Sequence, residues 1–288
     1  MKSVVLGLLA ETALHPGTEQ SAGVVDLPVA REAAGGYPVI VGSSLKGALR
    51  DFMEQKLGEK DSRVGRFFGM RDSGGAERDC AGAVAVTDAR LLLLPVRSLT
   101  GHYKWVTCPY LLERYQRDRE LAGLPCSFEF PKPGDEQAVI PADGASGGQD
   151  SLFLEELVFN VERRDLSGLI DGLGGLIKHR TAQKRLPGQL AVISDNDFAH
   201  FARYGLQVNA RNVLDNKTKT SQNLWYEETV PPDSLFYALL ISRPGAGEAL
   251  ADLQRLFTER PYLQVGGNET VGQGWCAVTW LEGEDGGR

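Results

Sequence analysis

Residue types able to bind or transform a ligand cluster in a few short segments of this 288-residue chain. His15 and Asp26 flank a glycine-containing loop, and Asp26 stands in Gly23-Val-Val-Asp-Leu-Pro-Val29. A carboxylate among apolar neighbours loses water, and desolvation raises its pKa toward a range useful for proton exchange. A turn or cap role for this acid is the competing reading. Gly42-Ser-Ser-Leu-Lys-Gly47, followed by Arg50, sets Ser43 and Ser44 at a helix start with Lys46 and Arg50 beyond. Free backbone N–H groups beside two cations make a phosphate cradle; a plain capped surface helix explains the same residues.

Lys178, Arg180, Lys184 and Arg185 lie within eight residues that contain no acid, which suits an anionic partner or a solvated loop. A polar stretch from Arg211 to Thr220 carries Lys217 and Lys219 between extended arms, as the tip of a long hairpin would. Gly266 and Gly267 open a loop that runs to Gly274. Glycines there let a backbone approach another group closely, or simply close a tight turn.

Other chemistries fit poorly. Gly42 to Gly47 lacks the Walker spacing, in which Gly-Lys-Ser/Thr closes the loop. Gly272-Gln-Gly-Trp-Cys-Ala277 matches a dinucleotide fingerprint only in letters, because it runs into a strand where a helix is required. Cys80, Cys108, Cys126 and Cys276 are scattered, as are the four histidines. Neither set has metal-ligand spacing, so no zinc site is expected. The cysteines read as reduced thiols of a cytoplasmic protein. Net charge is −7 and pI about 5.3. This balance opposes a free-standing nucleic-acid binder but permits a local basic groove on an acidic body. Val4 to Ala10 reads as a buried strand rather than a leader, and no run approaches the length of a membrane helix.

The elements that must position these groups alternate irregularly. Strands are expected at Val4–Leu14, within Ala83–Val96, at Ser151–Val161, Leu190–Ile193, Gly205–Arg211 and Ser234–Ile241, and near the end at Trp280. Helices are expected at Ser43–Leu57, capped by Ser43 or Ser44, at Pro109–Leu121, and at Gly247–Thr258. Asp165–Ile177 reads as a short amphipathic segment. Pro131–Asp150 is rich in Gly, Pro and acids and reads as loop, and Glu282–Arg288 as a frayed tail. The pattern is α+β.

Gly35-Gly-Tyr-Pro-Val-Ile-Val-Gly-Ser-Ser-Leu-Lys-Gly-Ala-Leu-Arg50 resembles the signature of RAMP proteins of CRISPR systems, which also carry a late glycine-rich loop like Gly266–Gly274. Val41 stands where that signature usually has proline. His15-Pro-Gly, Gly23-Val-Val-Asp-Leu-Pro28 and Asn223-Leu-Trp-Tyr-Glu-Glu-Thr-Val-Pro-Pro-Asp-Ser-Leu-Phe236 are similar to one subgroup, the backbone nuclease subunit of the type III-B (Cmr) effector complex. The resemblance implies one RAMP domain over 1–288 with a ferredoxin-like, RRM-type palm. It implies insertions near 97–150 and 162–190 and a protruding thumb hairpin near 204–228. It further implies guide RNA, target RNA, other Cmr subunits and copies of the chain itself as partners. Cleavage would centre on Asp26, as base or as ligand of a weakly held Mg or Mn ion, with His15 and Glu227 as helpers. Ser43, Ser44, Lys46, Arg50, the Lys178–Arg185 cluster, Lys217, Lys219, Gly266 and Gly267 would contact RNA. A non-catalytic scaffold subunit and a guide-processing endonuclease are the rival readings.

Overall fold

The computed structural model describes residues 2–17, 23–69, 81–125, 128–142 and 150–283. In chain order its elements are β1 (Ser3–Ala10), β2 (Val39–Ile40), α1 (Gly42–Leu57), α2 (Ser62–Phe68), β3 (Val84–Val86), β4 (Ala89–Arg97), β5 (Tyr103–Thr107) and α3 (Pro109–Leu121). Then follow β6 (Gln137–Pro141), β7 (Ser151–Leu154), β8 (Leu157–Arg164), α4 (Ser167–Gly174), α5 (Arg180–Gln189), β9 (Leu190–Ile193) and α6 (Asp195–Tyr204). The chain closes with β10 (Gln207–Leu214), β11 (Ser221–Thr229), β12 (Leu235–Ser242), α7 (Gly247–Glu259), β13 (Tyr262–Gln264) and β14 (Trp275–Glu282). The class is α+β.

β1 is apolar and buried from Val4 to Ala10, so it needs neighbours on both edges and cover on both faces. It pairs antiparallel with β12 on one edge and with β14 on the other. β4 adds beyond β12, giving the order β14-β1-β12-β4, all antiparallel. Period-two alternation then divides the side chains between two faces. Gly7, Tyr237 and Thr279 share one. There Tyr237 packs on Tyr115 of α3 at 4.9 Å and donates its hydroxyl to Asp118 at 2.7 Å. Gly7 leaves room for Leu176, since a Cβ there would stand 2.7 Å from the Leu176 carbonyl oxygen. The opposite face carries Trp280, which meets Phe257 of α7. Phe257 in turn stacks on Phe52 of α1 at 4.6 Å.

The sheet continues from β4 through β5, β9, β6 and β8 to β7. Two of these pairings, β5 with β9 and β6 with β8, are parallel. The region near 97–150, expected as an insertion, thus supplies β5 and β6 to the same sheet, and the one near 162–190 supplies α4 and α5. β10 and β11 stand apart as an antiparallel two-stranded hairpin.

Several expectations need correction. Pro131–Asp150 contains β6, whose Ala138, Val139 and Ile140 are buried between β9 and β8. Three apolar residues in a stretch dominated by Gly, Pro and acids were masked by composition. The basic stretch is helical from Arg180 because Ala182 and Leu186, four apart, are buried while Lys178, Arg180, Lys184 and Arg185 stay exposed. Neither Ser43 nor Ser44 caps α1. Val41 is its N-cap, with no side-chain cap bond, and the Gly42 N–H donates to Asp88 at 2.7 Å. Tyr204 ends α6, so the hairpin begins at Gln207. Helices α2 and α6 had no counterpart in the expectations. Residues 18–22 of the loop between His15 and Asp26, and 284–288 of the tail, lie outside the described residues.

Candidate functional site

The segment carrying Asp26 belongs to no long strand. It lies along β11: the Leu27 N–H donates to the Tyr226 carbonyl at 3.0 Å and the Glu228 N–H to the Leu27 carbonyl at 3.0 Å, a parallel bridge between Leu27 and Glu227. Asp26, half-buried, accepts the Tyr226 N–H on Oδ2 at 2.7 Å. Its Oδ1 has no partner among the described residues. The structure therefore fixes this carboxylate by one oxygen and presents the other.

Glu227 and Glu228 leave β11 in opposite directions, as strand alternation requires. Glu227 is 2% exposed. It accepts a hydrogen bond from Asn268 Nδ2 and lies 3.6 Å from Arg211 Nε. With one oxygen bound by Asn268 and the other facing Arg211, it has little left to offer a substrate atom. Glu227, expected as a helper of Asp26, thus links β11, β10 and the glycine loop. The Glu228 carboxylate instead grips the Asp26 segment, accepting from the Val29 N–H at 3.0 Å and from Arg31 at 2.6 Å.

His15 joins this group from the other side. Its Nδ1–H donates to the Glu228 carbonyl at 2.8 Å, which puts the proton of the neutral ring on Nδ1 and leaves Nε2 as an acceptor. The His15 carbonyl accepts the Gly267 N–H at 2.9 Å. Gly266 adopts φ +85°, and a Cβ there would sit 2.6 Å from the His15 carbonyl oxygen. Here the glycine is required twice, by conformation and by space.

His15, Gly266 and Gly267 line a cleft of about 680 Å³ whose opposite wall is α1, through Ser44, Gly47 and Asp51. Arg260, Tyr262 and Trp275 complete it, with the Arg260 guanidinium over the Trp275 ring at 5.5 Å. These three were missed in the sequence, where only their nearness to the glycine loop pointed to them. A cation and two aromatics on one wall match a phosphate–base strand better than an apolar small molecule. The acids Asp51 and Glu269 share the lining, so the cleft is not uniformly positive.

The expected RNA contacts divide on inspection. Lys46 is half-buried on α1 and makes no ion pair among the described residues. Arg50, by contrast, is committed to Glu54 at 2.7 Å and to the Gly69 carbonyl at 3.1 Å, so it serves the joint between α1 and α2. Lys178, Arg180 and Lys184 are exposed. His179 beside them reaches Glu11 at 2.8 Å and its ring lies 6.3 Å from that of Tyr262, which brings this cluster to the cleft rim. Arg185 turns away, over the Trp105 ring. Lys217 and Lys219 are exposed at the hairpin tip. That tip is a turn closed by Asp215, which accepts the Lys217 and Thr218 N–H groups at 2.8 Å each. Val213, Leu214, Leu224 and Tyr226 are exposed along the hairpin, an unusual share of apolar surface for a solvated ribbon.

Cys108 and Cys276 are free and buried. Burial pushes both thiols up, away from thiolate chemistry. Cys80 and Cys126 lie outside the described residues. Among the described residues, no three His, Cys, Asp or Glu side chains gather as a metal cage, and no helix is long and apolar enough to cross a membrane.

The chain belongs to the RAMP superfamily, whose sequence pattern it matches over residues 8–277. It is 36% identical over 292 residues to the CRISPR system Cmr endoribonuclease Cmr4 of Pyrococcus furiosus, covering 98% of this chain and 97% of that protein. The crystal structure of oligomeric Cmr4 from Pyrococcus furiosus superposes with a TM-score of 0.77 at 30% identity, covering 98% of each chain. A chain of the type III-B Cmr-beta complex bound to cognate target RNA shares the fold, with a TM-score of 0.75 at 21% identity over 97% of each chain.

Two glycines of the cleft should respond oppositely to alanine. Gly266→Ala meets a positive φ and a carbonyl oxygen, and is expected to destabilise by about 2 kcal/mol or more. Gly47 lies inside α1 with nothing within 4 Å of its Cβ position. Gly47→Ala is therefore expected to stabilise by about 0.5–1 kcal/mol. Urea denaturation of the two variants checks the pair of signs.

Proposed function

We propose that this chain is the guide-RNA-binding backbone subunit of a type III-B CRISPR effector complex, and that it cuts target RNA paired to the guide. The observation that carries this reading is the Asp26 carboxylate, held by one oxygen at the base of a projecting hairpin, in a chain 36% identical to a Cmr endoribonuclease. The order β14-β1-β12-β4, with α1 following β1 and α7 following β12, supports a ferredoxin-like, RRM-type palm. The β10–β11 ribbon is its thumb, and the segments near 97–150 and 162–190 are insertions on one RAMP domain. Copies of the chain stack along the guide together with other Cmr subunits; the oligomeric state of the Pyrococcus furiosus relative supports the stacking.

In this reading the guide backbone runs through the cleft between α1 and the glycine loop. Lys46, the Ser43 and Ser44 amides and Arg260 face its phosphates, and Lys178, Arg180 and Lys184 extend the track. The thumb carries apolar side chains and Lys217 and Lys219 into the guide–target duplex. Opening a stacked step costs a few kcal/mol, which wedge contacts can offset. A displaced target nucleotide is then free to align its own 2′-OH with the adjacent phosphate, and that alignment supplies much of the rate. Asp26 Oδ1 takes the 2′-OH proton as the oxygen attacks phosphorus and the 5′-oxygen departs.

As the alternative to that base role, the same oxygen would hold a divalent cation, Mg or Mn. Glu227 being occupied, water and phosphate would complete the coordination, which accords with a weakly held ion. When bound, such an ion would stabilise the charge building on the phosphoryl oxygens.

Asp26→Asn keeps the bond to Tyr226 and removes the charge. Built into the assembled complex, it is expected to lower target cleavage roughly 10²-fold while guide binding persists. Parental cleavage by this variant would overturn the assignment. Lys46→Gln is expected to weaken guide binding alike for unrelated guide sequences, and to lower the slope of log affinity against log salt by about 0.7. Filter binding at several salt concentrations with two guides measures both, and a sequence-dependent loss would count against a backbone contact.

A further inference from the structure

We infer that Glu228 is a positioning residue for cleavage, one that acts on RNA only through Asp26; the inference rests on the function proposed above. Glu228 is 7% exposed, yet neither of its oxygens serves the apolar core. Oε2 accepts the Val29 N–H at 3.0 Å. Oε1 accepts Arg31 at 2.6 Å. Both donors sit on the segment that carries Asp26, three and five residues beyond it.

Arg31 is itself held from outside, donating to the Gly36 carbonyl at 2.9 Å and to the Ala202 carbonyl at 2.7 Å. The carboxylate thus locks the downstream end of the Asp26 segment to β11, while the Tyr226 N–H locks Asp26 itself. The Glu228 backbone carbonyl meanwhile receives His15, whose own carbonyl is bound by the glycine loop. One residue therefore touches the catalytic segment by its side chain and the guide-facing wall by its backbone.

A buried acid is a poor way to gain stability, because an apolar side chain of similar size often serves as well. What the acid provides here is direction. Two short charge-assisted bonds fix the segment far more narrowly than packing would. A displacement of about 1 Å at a reacting group can cost up to 10²-fold in rate.

The test uses assembled complexes carrying Asp26→Asn, Glu228→Met, Glu228→Gln, Arg31→Met and the double variant Asp26→Asn/Glu228→Met. Single-turnover cleavage at saturating target, and the Kd for target, are measured for each. Glu228→Met is expected to lower the cleavage rate about ten- to a hundredfold, with target Kd within about twofold of the parent. Glu228→Gln retains one acceptor oxygen but sets an NH2 donor against the other partner, and should recover only part of that loss. Arg31→Met, which withdraws one of the two donors, should likewise lower the rate, by less than Glu228→Met. In the Asp26→Asn background Glu228→Met should cost nothing further, since a residue acting through Asp26 has nothing left to position.

The inference is overturned if Glu228→Met cuts at the parental rate, if Kd moves as much as rate, or if the double variant loses the full additional factor. Should Glu228→Met fail to assemble, Arg31→Met decides alone, and parental cleavage by it sinks the idea. Parental cleavage by Asp26→Asn would instead refute the proposed function, which keeps the two failures distinct.

Discussion

The segment that carries Asp26 has little sheet of its own. Its backbone is tied to Tyr226 and Glu228 of β11 by a single parallel bridge, and its side chains by Asp26 to Tyr226 and Glu228 to Arg31. The stretch Tyr226–Glu228 of β11 also receives His15 through the Glu228 carbonyl and Asn268 through Glu227. The Asp26 segment, the β10–β11 hairpin and the glycine loop are thus three elements with one common joint. Distortion of the hairpin would be felt at Asp26 within a few bonds, because β11 is both a strand of that hairpin and the support of that segment.

An acidic chain can serve RNA because screening makes electrostatics local. Beyond a Debye length of about 8 Å at physiological salt, the distant acids that produce the net charge are muted. The cleft itself holds Arg260 beside the acids Asp51 and Glu269, and the exposed cations near His179 stand at its rim. Elsewhere many cations are spent on neighbouring acids, as in Arg114 with Glu32, Arg90 with Asp118 and Arg50 with Glu54.

Much of this arrangement was legible in the sequence, for definable reasons. Long apolar strands such as β1 and β12, and helices with a full stripe such as α1 and α7, declare themselves by periodicity. The glycine at position 266 was marked as a close approach, and the approach is to His15. What stayed hidden depends on partners distant in sequence. Arg50 and Lys46 look alike in the chain, but a glutamate one turn on and the end of α2 claim only the first. Glu227 and Glu228 are adjacent acids, and only the pairing with Leu27 reveals that one grips the Asp26 segment and the other the glycine loop. Charge alone concealed α5, whose two buried residues are too few to signal a helix.

The most direct measurement is cleavage by the parental assembled complex, with one guide, of a complementary RNA and of an unrelated RNA of equal length. The account predicts cuts only in the complementary strand, regularly spaced as one Asp26 per stacked copy requires. Uncut complementary RNA, or equal cutting of both strands, would contradict it.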